Sequence, residues 1–155
     1  MRLSDKVAAE INSIKSKYQD PRSCLLPSLY VVQKADGWIS PEAMAVVGEL
    51  LNVPGATVKG VATFYSMFRH KPMGRHLIQL CTNVACLVMG AEKLVDMLKG
   101  KYGLEPNGTS PDGRFSLVIM ECIGACGTAP AMLVDTDFHE NLNEKNIIDT
   151  LENYK

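Results

Sequence analysis

Apolar positions in residues 4–18 return at Val7, Ile11 and Ile14 and reach Tyr18, the spacing of one helical face. Asp20-Pro21 then supplies a cap and a first-turn proline for a second helix over residues 23–35. Its broad apolar face holds Leu25, Leu26, Leu29, Tyr30 and Val32, and Asp36-Gly37 ends it. Ser40-Pro41 opens a third helix through Leu51, and Val53-Pro54-Gly55 breaks it. A fourth is expected over residues 57–68. The first seventy or so residues thus read as all-helical, with no chemistry of their own.

The pattern changes after Lys71-Pro72-Met73-Gly74. Residues 76–81 predict a strand with Leu77, Ile78 and Leu80 largely buried, and residues 81–86 the loop leaving it. A helix is expected over residues 89–102, with Leu94, Val95 and Leu98 inward. Residues 114–121 predict a second strand, apolar on both faces as suits a central one. Residues 131–135 form a third short strand, followed by a turn near Asp137 and a last helix over 144–154. Strand, helix, strand, strand, helix makes a small layered α/β or α+β fold, with a right-handed crossover expected. The division falls at residues 1–72 and 73–155.

Four of the five cysteines lie in this second half, as Cys81/Cys86 and Cys122/Cys126 with 35 residues between the pairs. Each pair follows the C-terminal end of a predicted strand. If those strands run parallel, as the helix between them implies, both loops share one sheet edge and the four thiols form one site. Spacers of four and three residues match no two-residue disulfide-exchange motif. Zinc accepts such spacers, but usually staples domains that lack a core. With 46% hydrophobic residues this chain has a core of its own. A 2Fe–2S cluster asks for two thiolates per iron, which two pairs on two loops supply. Gly90, Gly124 and Gly127 permit tight turns that aim amides at sulfur, and a helix beginning after Cys86 would add a positive dipole end. No Lys or Arg lies between Cys81 and Ala91 or between Cys122 and Pro130. Amides, rather than side-chain cations, would therefore balance the charge.

The whole-chain balance narrows the partners. Sixteen Lys and Arg against 17 Asp and Glu leave a net charge of -1, without the cation surplus that binds nucleic acid. Residues 1–18 do not read as a secretory signal, and the longest uncharged run, Leu77 to Ala91, is too short to span a bilayer. An odd number of cysteines weighs against a disulfide framework. A cytoplasmic protein that reaches membranes only through protein partners is expected. Cys24 reads as a buried, inert thiol, and His70, His76 and His139 as ordinary histidines, none of them one or two residues from a cysteine. The Phe64–Phe68 run reads as core, with an interface as the alternative. Trp38 reads equally as a turn anchor or a partner contact. No G-x-G-x-x-G or P-loop offers a phosphate cradle, so NADH and flavin are not expected on this chain.

The stretch D-G-R-F-S-L-V-I-M-E-C-I-G-A-C-G-T-A-P, Asp112 to Pro130, resembles the 24 kDa-type subunit family of respiratory NADH dehydrogenase, the E subunit of bacterial complex I. G-V-A-T-F-Y-S-M-F (Gly60–Phe68), G-R-H-L-I-Q-L-C (Gly74–Cys81) and C-L-V-M-G-A (Cys86–Ala91) are similar to it as well, and the likeness runs from about Tyr18 to the end. It implies an α+β fold, an N-terminal helical bundle followed by a thioredoxin-like 2Fe–2S ferredoxin domain. It implies one 2Fe–2S cluster on Cys81, Cys86, Cys122 and Cys126. It further implies electron exchange with a flavoprotein subunit that carries FMN and the NADH site, within the peripheral arm of an NADH:quinone oxidoreductase. Related modules serve NAD-linked hydrogenases and formate dehydrogenases. Lys59 stands where family members commonly carry an acidic residue, a departure that leaves the four thiols untouched.

Overall fold

The computed structural model describes residues 3–155, which divide into two compact units, one ending at Pro72 and one running from Met73 to Lys155. In the first, the Ser4 hydroxyl accepts from the Val7 amide and opens α1 (Asp5–Lys15). Asp20 caps a short 3-10 turn, Pro21–Cys24, that runs straight into α2 (Leu25–Asp36). Ser40 caps α3 (Pro41–Leu51), and α4 spans Gly55–Phe64. Their apolar faces meet in one core containing Ile11, Leu29, Val32, Val47, Leu51 and Val58, all fully buried.

The fourth helix stops four residues short of its expected end. The Gln33 side-chain amide donates to the Met67 carbonyl at 3.0 Å, and its oxygen accepts from the Arg69 amide at 2.7 Å. These bonds give the chain after Phe64 partners outside any helix. The apolar run divides accordingly: Phe68 is buried, 5.2 Å from the Tyr30 ring, while Phe64 remains 80% exposed. The run is therefore core at one end and open surface at the other.

The second unit is a four-stranded sheet with helices α5 (Val84–Val88), α6 (Ala91–Tyr102) and α7 (Glu144–Leu151). The strands are β1 (His76–Cys81), β2 (Phe115–Met120), β3 (Met132–Val134) and β4 (Asp137–His139), in the order β2-β1-β3-β4. β1 and β2 run parallel, in register from His76 beside Phe115 to Cys81 beside Met120. β3 pairs antiparallel with β1, and β4 antiparallel with β3. Ile78, Leu80, Leu98, Leu117, Met132 and Ile147 pack as its core.

Three expectations are corrected here. The second strand is at the end of the strand order rather than central. Its Phe115, Ser116 and Leu117 are nonetheless buried, because residues 108–110 cover that edge: the Leu117 amide donates to the Gly108 carbonyl and the Ser110 amide to the Phe115 carbonyl. The turn near Asp137 is a two-residue reversal at Asp135-Thr136, with Asp135 at φ 56, and Asp137 itself begins β4. The last helix ends at Leu151, where the Arg114 guanidinium donates to the Leu151 and Tyr154 carbonyls at 2.8 and 2.6 Å and closes it.

Candidate metal centre

Parallel pairing of β1 and β2 is what brings the two cysteine loops to one sheet edge. Cys81 is the last residue of β1, and its neighbour in register, Met120, is the last of β2. The Thr82 amide still donates to the Met120 carbonyl at 3.2 Å, so the two chains part only beyond that point. Cys122 follows two residues later. On the other side of β1, the Cys81 amide donates to the Ala131 carbonyl at 3.1 Å, which ties the segment after Cys126 to the same edge.

Cys86 reaches this edge by a route different from the expected loop. Asn83 accepts from the Val84 amide and opens α5, whose apolar V-A-C-L-V turn carries Cys86 inward. Gly90, at φ 97, then permits the left-handed reversal from which α6 starts at Ala91. The expected helix over residues 89–102 is thus two helices. Cys86 lies inside the first of them, so the N-terminus of α6 does not immediately follow it. Gly124, at φ 80, plays a similar part between Cys122 and Cys126, whereas Gly127 does not require a left-handed conformation.

The four thiols differ in exposure. Cys81 and Cys86 are buried with Ala91 and Ala129, and Ala85 and Ile123 pack against them; Cys122 and Cys126 are exposed. Burial pushes the Cys86 thiol up. A hydrogen bond with Cys81 and the like charges of Cys81 and Cys126 act in the same direction, while the Ala131 backbone opposes them. Cys86 thus lies within electrostatic reach of Cys81 and of Cys126. Cys122 accepts from the Gly124 amide, 3.4 Å from its sulfur. Among the described residues, no three or more His, Cys, Asp or Glu side chains stand in a metal-holding group. The fold gathers the two loops without drawing all four sulfurs into ligand geometry.

The donor set fits a two-iron centre in kind: two thiol pairs on adjacent strand ends, an apolar floor, and amides facing sulfur. Cys24 is remote in sequence and lies in the core of the first unit, where burial raises its thiol as well. Residues 11–155 match the family model of the thioredoxin-like 2Fe–2S ferredoxins. The chain belongs to that family. It is 36% identical to the E subunit of NADH-quinone oxidoreductase from Pseudomonas aeruginosa, over 98% of this chain and 92% of that protein. The corresponding protein of Escherichia coli is 38% identical over 96% and 91%. The second such protein of Rhizobium meliloti is 38% identical over 94% and 87%.

Among solved structures, an NAD+-reducing NiFe hydrogenase in its air-oxidised state superimposes with a TM-score of 0.69 at 24% identity, over 82% of this chain. Its H2-reduced form gives 0.71 at 23% identity, over 84%. The chain spans only 22% of that hydrogenase chain, and at this identity the likeness is one of fold. The pairing of the four cysteines and their places after two strand ends were visible in the sequence. The Ala131 backbone beside Cys86 and the Asn83 cap were not. Asn83 carried a signal, a capping residue before an apolar run, while Ala131 carried none.

Proposed function

We propose that this chain is the E-type electron-transfer subunit of an NADH:quinone oxidoreductase, with Cys81, Cys86, Cys122 and Cys126 holding one 2Fe–2S cluster. A bound cluster supplies a one-electron couple, whose potential follows from hydrogen bonds to its sulfurs and from burial. The observation that carries the reading is the register of β1 and β2, which end side by side at Cys81 and Met120. Cys81 and Cys86 provide buried ligands, and Cys122 and Cys126 provide ligands from the exposed side. The Gly124 amide and the Ala131 backbone offset thiolate charge where no Lys or Arg is near in sequence.

The nearest electron donor in this reading is the FMN of a partner flavoprotein subunit, which also holds the NADH site. The chain sits at the cytoplasmic side, within the peripheral arm of a membrane complex. No helix among the described residues is long and apolar enough to cross a membrane, consistent with attachment through protein partners. Support for the host complex comes from the NADH-quinone oxidoreductase relatives, which match this chain over nearly their whole length.

The test is anaerobic purification followed by iron and sulfide assay and EPR of the reduced protein. Two irons and two sulfides per chain, with a spin-half signal on reduction, are expected. Stoichiometric zinc and no EPR signal would reassign the chain as a zinc-stabilised assembly module.

A further inference from the structure

The loop holding Cys122 and Cys126 has few bonds of its own. Within it, the Gly124 amide meets the Cys122 sulfur and the Thr128 amide donates to the Ala125 carbonyl at 3.1 Å. The short 3-10 turn Cys126–Thr128 is held instead from outside. Thr128 Oγ1 donates to Glu140 Oε2 at 2.6 Å, and the Asn141 amide donates to the Thr128 carbonyl at 2.7 Å. Behind this contact the Leu142 amide donates to the Pro130 carbonyl at 3.0 Å.

The brace is itself anchored. Asn146 donates from Nδ2 to the Asn141 carbonyl at 2.9 Å, and Asn143 and Asn146 form the reciprocal cap of α7. Leu142 and Ile147 are buried in the core of the sheet unit. A rigid path therefore runs from that core through the start of α7 to Glu140, and from Glu140 to the turn carrying Cys126.

We propose that Glu140 is a positioning residue for Cys126, acting through the Thr128 hydroxyl to hold the 126–128 turn at the sheet edge. This rests on Cys126 being a cluster ligand. Glu140 Oε2 accepts from the Thr128 hydroxyl, and that bond needs an oxygen acceptor at this place rather than a charge. Its effect on the centre is therefore one of geometry. Glutamine keeps an oxygen acceptor at that place without the charge; alanine keeps neither.

Three variants of the full chain separate the roles: Glu140→Ala, Glu140→Gln and Thr128→Val. In the iron-free chain, backbone amide exchange over residues 125–129 is expected to rise about fivefold in E140A and T128V, the factor one ordinary hydrogen bond is worth. E140Q should stay near the parent. In iron-loaded protein, E140A and T128V should broaden or shift the EPR g values and release iron to a chelator several-fold faster, and E140Q should again match the parent. Parent-like exchange in E140A and T128V would overturn the proposal, as would E140Q behaving like E140A. Failure of the parent chain to take up iron would count against the cluster reading, while the exchange measurement still decides whether Glu140 braces the turn.

Discussion

At the scale of single residues, exposure separates what a cysteine does for the site from what it does for the fold. Cys122 is exposed and packs in no core, so Cys122→Ser is expected to leave the circular dichroism spectrum and melting temperature of the iron-free chain near those of the iron-free parent. The same variant should lose the visible chromophore and the EPR signal, because a hydroxyl is a poor substitute for a thiolate on iron. A retained chromophore with absorption and EPR spectra identical to the parent's would remove Cys122 from the ligand set. Tyr154 allows a second test, of pH dependence. Burial, reinforced by the hydrogen bond its hydroxyl donates to Asp137 at 2.8 Å, raises its phenol to about 12. An unfolded tyrosine titrates near 10. Between those values the folded chain holds the proton that the unfolded chain gives up, so stability falls as pH rises. The contribution is complete below about pH 10 and lost on passing about pH 12. Urea midpoints at pH 9 and pH 11.5 should show that fall, and Tyr154→Phe should lessen the part due to this group.

At the scale of elements, the approach of β1 and β2 depends on a close backbone contact at their start. A Cβ on Gly74 would stand 2.7 Å from the Phe115 carbonyl carbon and 2.9 Å from its oxygen. Both are backbone atoms, so a strand would have to move. The Gly74 amide also donates to Ser116 Oγ at 2.7 Å, and that hydroxyl lies 2.7 Å from the Thr109 hydroxyl. Gly74→Ala is therefore expected to cost about 1–3 kcal/mol, the usual range for overpacking, measured by urea unfolding of the iron-free chain. An unchanged midpoint would mean that the approach relaxes freely. The elements also explain where the periodicity reading succeeded. Helices in the first unit begin at Ser4, Asp20 and Ser40, residues whose side chains accept from the first-turn amides. It failed where a distant partner decided the outcome. Gln33 accounts for the chain leaving α4 after Phe64, and the 108–110 segment shields a strand that reads as central.

At the scale of the whole molecule, the proposal is that the chain relays electrons and leaves hydride chemistry to its partner. The purified chain is expected to show no NADH oxidation with ferricyanide or quinone, and affinity capture from its source should bring a flavoprotein with it. Turnover by the isolated chain would contradict the division of labour. The order of residues alone carried the chemistry on offer: four thiols in two pairs, a nearly neutral net charge, and motifs that match one family across nearly the whole length. These were legible because ligand type, spacing and hydrophobic period are local properties of the chain. It took the folded chain to settle that Cys81 and Met120 end parallel neighbours, that α5 buries Cys86, and that Glu140 meets Thr128 from twelve residues away. Strand order and hydrogen-bond partners depend on contacts between segments far apart in sequence, and such contacts leave no periodic trace in either segment alone.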